Sequence, residues 1–465
     1  MSDDIRRNIT KASVRKALKY MKKDPEKGMV KLMKWADRAD INDEFVNHRN
    51  AFRSAIEDKD NNWHRLLVSL WSDVDDGVRM KLFENFIINA CMEGLPQQRR
   101  NEELHRCNIP WALLISPTSA CNLHCTGCWA ANYKENVSLS LEKMDYIIRQ
   151  AKNLGIYMFL FTGGEPLVKK EEIIKLCSMH PEAVFSCFTN GTLIDEEFAN
   201  EMLRVKNFIP AISIEGYEAE TDARRGQGTF KRVMEATEIL REKKLPFGAS
   251  SCYTSKNVHV IGSEDYFDLL IDRKFKFLWL FTYIPIGNHA DTSLMVSAKQ
   301  REYMYHQVQS FRKTKPLFTM DFWNDGDKTG GCIAGGRRYC HINASGAVEP
   351  CAFAHYSNVN IHECTLLQAF KSSLFMEYRN NQPFNENMLR PCPVLDNYGK
   401  LAEMVHRSGA RSTDLASPED VDAYCDKCRH AAEEWEPVAD RLRRTQIAHA
   451  LDEEEVVYKQ RGSFQ

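Results

Sequence analysis

The sequence predicts an α/β protein built around a partial barrel of six parallel strands, each followed by a helix. From residue 111 to about 285, nearly continuous apolar segments alternate with amphipathic helical segments, as in parallel strands covered by helices. Residues 1–105 have helical periodicity and almost no strand pattern. Beyond Lys315 the alternation is expected to stop, and cysteines return. We therefore predict a helical domain (1–105), the barrel (106–315), a cysteine-rich extension (316–430) and a charged C-terminal helix and tail (431–465).

The N-terminal domain carries apolar stripes at helical spacing, the first of them at Met29, Val30, Leu32, Met33 and Trp35. Such stripes are most often packed core, and a surface for a partner protein, a carrier or a lipid is the alternative. Lysines crowd the first stripe, which suits an interfacial amphipathic helix and a solvated face equally well. Peripheral membrane contact therefore stays open as an interpretation.

The six strands of the barrel are predicted over residues 111–117, 157–162, 183–189, 208–215, 247–253 and 277–283. Between the first two, a helix is expected to begin after Ser140 as its N-cap and to end at Gly155. Ligands of parallel barrels bind at the C-terminal ends of the strands. Side chains that directly follow the strands are therefore the candidates for a functional site.

Composition excludes some classes of partner. The 465 residues carry 62 Lys+Arg against 64 Asp+Glu, so no global field favours nucleic acid. The start of the chain is charged and has no apolar core, and the 15 cysteines then favour a reducing compartment in which thiols stay free or bind metal. No apolar run approaches the ~18 residues of a membrane span. We expect a cytoplasmic protein with no transmembrane segment.

Three cysteines follow the first strand within eight residues, at Cys121, Cys125 and Cys128. A loop this tight can converge three thiolates on one metal centre, and three ligands leave one coordination position open. An open position is typical of a reactive centre. The spacing differs from the common zinc signatures, although a zinc site or a coincidental cluster is the alternative.

This Cys-x3-Cys-x2-Cys stretch resembles the radical SAM superfamily. The resemblance implies a [4Fe–4S] cluster on these thiols, S-adenosylmethionine bound to its open iron, and reduction by a ferredoxin- or flavodoxin-type donor. It also implies cleavage of S-adenosylmethionine to a 5′-deoxyadenosyl radical. Many family members have an aromatic residue just before the third cysteine. Here that residue is Gly127, and an aromatic residue, Trp129, follows Cys128 instead.

The end of the second predicted strand carries Gly163-Gly164-Glu165-Pro166. Two glycines let the backbone approach a ligand closely, and an acid can receive an ammonium group. The stretch is similar to the family's GGEP motif, which implies contact of Gly163, Gly164, Glu165 and Pro166 with the amino group of S-adenosylmethionine.

Polar residues at the next two strand ends are further candidates. Asn190 lies in a Thr-Asn-Gly turn that resembles a family turn lining the same pocket, and a plain turn is an equal alternative. Ser213 and Glu215 lie on one strand face by the two-residue repeat. The resemblance implies contact of Ser213 with the methionyl carboxylate or a ribose hydroxyl, and of Glu215 with the ribose or the substrate.

Arg225 is the last of the candidates near the predicted barrel rim. It lies in a segment similar to the D-x-x-R-G-x-x-x-F pattern of the family's peptide-modifying branch. A guanidinium suits bidentate contact with a carboxylate, and a surface arginine before a helix is the alternative.

A second set of cysteines follows residue 315. The hairpin-like stretch from Cys340 to Cys351 resembles the start of a SPASM or twitch extension, which carries auxiliary iron–sulfur clusters. The resemblance implies one auxiliary [4Fe–4S] cluster, with Cys340 and Cys364 as free thiols. A structural zinc site is the alternative. The expected ligands are Cys332, Cys351, Cys425 and Cys428, with Cys392 as a fifth candidate or a substrate-facing thiol.

Three functions fit the sequence. The first is a radical SAM enzyme that abstracts hydrogen from an unactivated C–H bond of a peptide or protein, since the extension is most common in peptide maturases. The second is the same chemistry on a lipid acyl chain, for example C–C coupling. The third is a non-catalytic iron–sulfur or zinc protein that transfers electrons or acts as a scaffold.

Overall fold

The computed structural model describes residues 25–39, 46–130, 136–414 and 416–462, together with Ala12, Lys16 and Tyr20. The side chains of Leu32 and Trp35, which belong to the first predicted stripe, lie outside the part that is described. The described fold consists of N-terminal helices, a nine-stranded sheet and a C-terminal region of short helices, a two-stranded sheet and one long helix. This arrangement confirms the predicted fold class.

The N-terminal region is helical, as predicted. Met29, Met33, Ile56 and Ile88 form a small buried core, so the first stripe is largely packing surface, although Val30 is exposed. The helices are α1 (Pro25–Ala39), α2 (Val46–Glu57), α3 (Asn62–Asp73), α4 (Asp76–Phe83), a π-helix (Glu84–Gly94) and α5 (Leu95–His105).

The sheet contains more strands than the six that were predicted. Its order is β7-β6-β5-β4-β3-β2-β1-β8-β9, and all neighbours are parallel except β8 and β9. The six predicted strands are found within two residues of the expected bounds. The expectation that the alternation stops at Lys315 is wrong, because β7 and β8 extend the sheet on either side. The strands are β1 (Ala112–Thr118), β2 (Met158–Gly163), β3 (Val184–Thr189), β4 (Phe208–Ser213), β5 (Gly248–Tyr253), β6 (Phe277–Thr282), β7 (Phe318–Asp321), β8 (Tyr339–Ile342) and β9 (Val348–Glu349).

Helices cover the outer face of this sheet. Ser140 caps the first of them by accepting a hydrogen bond from the Lys143 amide (3.1 Å), as its sequence predicted. Phe159, Phe161 and Phe185 point to this side and stack on one another in the main core. The helices are α6 (Leu141–Asn153), α7 (Lys170–Met179), α8 (Glu196–Val205), α9 (Glu218–Arg225), α10 (Thr229–Glu242), α11 (Val258–Ile261), α12 (Glu264–Asp272) and α13 (Ala298–Thr314), with 3₁₀ turns at Pro166–Lys169 and Thr292–Leu294.

The N-terminal helices are anchored where strands begin. The side chain of Asn85 donates to the Ala183 carbonyl (2.8 Å) just before β3, and Gln98 donates to the Gly155 carbonyl (2.7 Å) before β2. These contacts lie at the N-terminal ends of the strands. The opposite end, where ligands of parallel barrels bind, is thus left to the loops and the C-terminal region.

The C-terminal region packs against the barrel through its long last helix. Trp435 donates to the Leu389 carbonyl (2.8 Å), and the Arg301 guanidinium lies 4.2 Å from its ring. Among the described residues, no helix is both long enough and apolar enough to cross a membrane. The region contains α14 (Gly326–Thr329), β10 (Tyr356–Ser357), α15 (Leu366–Phe370), α16 (Ser373–Asn381), α17 (Lys400–Ser408), β11 (Arg411–Ser412) and α18 (Val421–Gly462).

Candidate functional site

The two glycines after β2 bring the backbone of their turn against the start of the thiol loop, residues 119–130. The Gly164 amide donates to the Thr118 carbonyl (3.1 Å), and the Glu165 amide donates to the Ala120 carbonyl (2.8 Å). A Cβ on Gly164 would lie 2.2 Å from the Ala120 oxygen, and Gly163 has a φ of +110°. Both positions therefore require glycine, and the turn fixes the junction between β1 and the thiol loop.

Glu165 fastens the ends of two strands together. Its buried carboxylate accepts hydrogen bonds from the Thr189 hydroxyl (2.6 Å) and from the amides of Asn190 (2.7 Å) and Leu167 (3.0 Å). Burial raises the pKa of Glu165 despite these bonds. About four acceptor sites exist on a carboxylate, so one remains for a ligand ammonium group. Pro166, which follows, begins a 3₁₀ turn that carries the chain away from the site.

Asn190 holds the residue next to the first thiol. Its amide nitrogen donates to Asn122 Oδ1 (2.8 Å), and Asn122 donates in turn to the Thr192 hydroxyl (2.9 Å). Asn122 directly follows Cys121, so the turn after β3 positions the thiol loop. Asn122 was not predicted from the sequence, although an amide between two cysteines at a strand end was a signal for such a contact.

Glu215 is engaged by two arginines. Its fully buried carboxylate accepts from Arg224 Nη1 (2.5 Å), from Arg225 Nε (2.9 Å) and Nη2 (2.5 Å), and from the Cys252 amide (3.0 Å). Burial alone would raise the pKa of Glu215, but the two guanidinium groups outweigh it and lower that pKa. The carboxylate contact expected of Arg225 is thus made within the chain, and Glu215 has little capacity left for a ribose. Ser213 lies nearby, at the end of β4.

The same two arginines contact the thiol loop. Arg225 Nη1 lies 3.9 Å from Cys125 Sγ, and the Arg224 carbonyl accepts from the Thr126 amide (2.8 Å). Burial raises the pKa of Cys125, and Arg225 opposes part of that rise. Positive charge beside a thiol favours the thiolate, which is the form that binds metal. Arg224 was missed from sequence because a neighbouring arginine matched the family pattern.

The three thiols of the loop are accessible to different extents. Cys121 is exposed, and Cys125 and Cys128 are half-buried. None of the 15 cysteines, all of which lie in the described part of the chain, is in a disulfide.

The donor set fits an iron–sulfur cluster better than a single ion. Among the described residues, no group of three His, Cys, Asp or Glu side chains is close enough together to bind a single metal ion. Tetrahedral zinc with Zn–S bonds of about 2.3 Å holds its sulfurs about 3.8 Å apart. A cubane holds its protein ligands farther apart and is commonly bound by Cys thiolates, which this loop offers.

Strands β1–β6 give the barrel interior beneath the thiol loop an uncharged wall. Strands β1–β6, which are described in full, contain no Asp, Glu, Lys, Arg or His. Leu114, Leu160, Phe188 and Trp279 belong to a cluster separate from the core that faces the helices, and the Phe188 and Trp279 rings lie 4.8 Å apart. Both rings are only partly buried, so the interior offers aromatic surface to a ligand.

The second set of cysteines lies in an apolar environment, in which Cys425 and Cys428 are buried and Cys332, Cys351 and Cys392 are half-buried. Burial raises the pKa of all five thiols, to about 12 for Cys332 and Cys428 and to about 11 for Cys351 and Cys425. Cys340 lies in β8 against the main core, and Cys364 also packs there, away from the others. One apolar cluster, which also contains Tyr378 and Tyr424, gathers Cys332, Cys351, Cys392, Cys425 and Cys428.

Trp129 joins the two groups of thiols. It directly follows Cys128, and its ring lies 6.1 Å from that of Phe353, two residues beyond Cys351. The rings of His341 and His355 flank it at 5.7 and 5.9 Å. The thiol loop therefore packs directly on the C-terminal region, and the two candidate centres share one wall of the interior.

Comparison with known proteins agrees with this geometry. The model of the Radical SAM superfamily matches residues 115–262. The AdoMet-dependent heme synthase of Nitratidesulfovibrio vulgaris is 26% identical over 300 residues, which are 57% of this chain and 80% of that protein. The PqqA peptide cyclase of Granulibacter bethesdensis is 22% identical over 253 residues, 52% of this chain and 67% of that protein.

A solved structure supports the fold. Streptococcus suis SuiB bound to S-adenosylmethionine gives a TM-score of 0.54 at 18% identity, over 64% of this chain and 75% of that one. SuiB bound to its precursor peptide SuiA gives 0.53 at 17% identity, over 64% and 74%. The region that matches the family model runs from β1 through the thiol loop, the Gly-Gly turn and the arginine pair to α11. Residues 115–262 thus match the radical SAM superfamily, and the chain is a radical SAM enzyme.

Proposed function

We propose that this enzyme abstracts a hydrogen atom from an unactivated C–H bond in an apolar part of a peptide or protein substrate. The observation that carries the proposal is the position of the open thiol loop above an interior whose six strands contain no charged side chain. A primary carbon radical needs such an environment, because water and reactive polar groups would consume it.

Cys121, Cys125 and Cys128 would hold the [4Fe–4S] cluster, and the Gly-Gly turn would receive S-adenosylmethionine. When bound, these groups supply the 5′-deoxyadenosyl radical on reduction by a low-potential ferredoxin- or flavodoxin-type donor. The chain's own contribution is orientation and shielding. Gly163, Gly164 and Pro166 shape a turn whose backbone lies beside the loop, and the last acceptor site of Glu165 would be available to the ligand's amino group.

The other candidate residues act through the loop. Asn190 fixes Asn122, and the pairing of Arg225 with Glu215 places a positive charge 3.9 Å from Cys125 Sγ. We propose that this charge stabilises the thiolate form of the loop and so favours cluster assembly. Ser213, at the end of β4, would meet the ligand through its hydroxyl.

Cys332, Cys351, Cys425 and Cys428 would hold one auxiliary [4Fe–4S] cluster, with Cys392 as the fifth candidate. Their enclosure in one apolar cluster supports a closed centre, in which the protein supplies every ligand.

The names of similar proteins support more than one substrate class. A peptide is supported by the name of the PqqA peptide cyclase and by SuiB, which was solved with a precursor peptide. The heme synthase of Nitratidesulfovibrio vulgaris points to a tetrapyrrole. Because strands β1–β6 offer no cation to pair with the acidic groups of such a molecule, we favour an apolar side chain of a peptide.

A lipid acyl chain is the second candidate. Peptide backbone buried in an apolar wall needs hydrogen-bond partners, and an acyl chain needs none. The aromatic and aliphatic lining around Leu114, Leu160 and Trp279 suits such a chain. The exposed lysines of α1, Lys31 and Lys34, could then contact a membrane surface.

The experiment is anaerobic reconstitution with iron and sulfide, followed by reduction in the presence of S-adenosylmethionine. Release of 5′-deoxyadenosine is expected, and its absence from protein with full iron content would refute the proposal. Deuterated peptide libraries and deuterated phospholipid vesicles are then supplied in parallel. Deuterium in the released 5′-deoxyadenosine identifies the substrate class, and label from lipid alone would replace the peptide assignment.

A further inference from the structure

The most informative contact outside the thiol loop lies between Tyr339 and Cys351. The Tyr339 hydroxyl is 2.8 Å from Cys351 Sγ. The Cys351 sulfur also accepts a hydrogen bond from the Phe353 amide (3.4 Å). Since a phenol is the stronger donor of the two groups and a metal-bound thiolate can only accept, Tyr339 donates to a ligated Cys351.

Strand register explains why these two residues meet. β8 and β9 pair in antiparallel fashion, with His341 opposite Glu349. Moving two residues along each strand brings Tyr339 and Cys351 to the same face of the hairpin. The next cross-strand pair of the hairpin, His341 and Glu349, is held in place by hydrogen bonds. His341 Nδ1 lies 2.6 Å from Glu349 Oε2, and His341 Nε2 lies 2.8 Å from the Ser116 hydroxyl of β1.

Tyr339 also belongs to the barrel interior. Its ring packs in the same cluster as Ala112, Leu114 and Trp129, and in the cluster that contains the second set of cysteines. The ring is only partly buried. The Tyr339 ring therefore borders the barrel interior, where a substrate would bind, and its hydroxyl contacts Cys351, a candidate cluster ligand.

Hydrogen bonds to ligand sulfurs stabilise the reduced, more negative state of an iron–sulfur cluster and so raise its reduction potential. We propose that Tyr339 sets the reduction potential of the auxiliary cluster through its hydrogen bond to Cys351. This inference rests on the proposed function, since it needs Cys351 to be a cluster ligand. Tyr339 is a positioning and tuning residue, because it acts through the ligand.

The test is an anaerobic redox titration followed by electron paramagnetic resonance, on wild type, Tyr339→Phe and Tyr356→Phe. Tyr339→Phe removes only the hydroxyl, and we expect a more negative auxiliary potential with unchanged iron content and an unchanged potential of the S-adenosylmethionine cluster. Tyr356→Phe is the matched control, because its hydroxyl donates to the Glu419 carbonyl (3.1 Å) within the same region. An unshifted auxiliary potential in Tyr339→Phe would overturn the inference.

A measurement on the wild type guards against misfolding of the variant. After exchange into D2O, electron–nuclear double resonance should detect an exchangeable deuteron coupled to the auxiliary cluster that is stronger than the coupling from a backbone amide. Its absence counts against Tyr339 as donor. Wild type with a single cluster per chain would instead refute the auxiliary-cluster proposal, and the inference with it, while two clusters and an unshifted potential refute the inference alone.

Discussion

The two sets of cysteines in this chain differ in what surrounds them. Cys121 in the thiol loop is exposed, and the loop is held from outside by glycine turns, by Asn190 and by an arginine pair. In the C-terminal set, Cys425 and Cys428 are buried among tyrosines. A reactive centre needs an open coordination position and a route for its ligand, whereas a closed centre needs neither. On this difference rests our proposal that the first set serves cofactor cleavage and the second has a supporting role.

The largest effect that separates the two sets is expected from Cys125→Ala. Loss of one of three thiolates leaves the open cluster without a stable ligand set, so 5′-deoxyadenosine release should fall by more than about a thousandfold. Cys364→Ala is the control, because this thiol lies outside both sets. Retained release in Cys125→Ala would show that the thiol loop does not hold the reactive cluster.

The second prediction removes a thiol from the enclosed set. Cys351→Ala should lower the iron content from roughly eight to roughly four atoms per chain, as expected for loss of one [4Fe–4S] cluster. Release of 5′-deoxyadenosine in the absence of substrate should continue at a rate within about twofold of the wild-type rate, because the open cluster and its loop are unchanged. Loss of that release at unchanged iron content would reverse the roles that we give to the two sets.

The sequence predicted the barrel well because its strands are long and their alternation with helices is regular. The six predicted strands were found within two residues of their expected bounds, and Ser140 caps its helix as expected. β7 and β8 were missed because strands of four residues carry little periodic signal. Their pairing with β6 and β1 depends on contacts distant in sequence.

The site was predictable in position but not in pairing. The cysteine spacing and the predicted strand ends located the thiol loop, Glu165, Asn190 and Glu215. All of them follow the C-terminal ends of neighbouring strands. The partners of Glu215 could not be deduced, since a strand-end carboxylate can face a ligand or an arginine with equal ease. Tyr339 carried no motif at all, and only the register of the β8–β9 hairpin brings it to Cys351.

A smaller effect is expected from the charge that supports the thiol loop. Glu215→Gln leaves Arg224 and Arg225 buried with no carboxylate, so the free energy of unfolding should fall by about 3–5 kcal/mol. Urea unfolding of the metal-free protein measures this loss. Glu201→Gln is the control, because the Glu201–Arg204 pair is exposed and should change stability little.

The pH dependence of the same variant gives a second readout. The arginines lower the pKa of Glu215 below its usual value, so its stabilising contribution is present above about pH 4.5 and is lost as the pH falls through the folded-state pKa. Glu215→Gln should therefore show a flatter loss of stability in acid than the wild type. If wild type and Glu215→Gln lost stability equally as the pH falls, the charge of Glu215 would not stabilise the arginines that support the loop.

The smallest expected effect is a difference in alkylation between the two sets in metal-free protein. With its pKa raised to about 12 by burial, Cys428 is thiolate in about one molecule in ten thousand at pH 8, and it has no access to reagent. Burial also raises the pKa of Cys121, to about 11, but this thiol is exposed, so iodoacetamide followed by peptide mass spectrometry should modify Cys121 first. Raising the pH from 8 to 10 increases the thiolate fraction of Cys428 about a hundredfold, so its modification should accelerate by no more than that factor while the fold persists. Early modification of Cys428 at pH 8 would mean that the enclosed set opens readily, and the contrast between a closed and an open centre would then depend on bound iron.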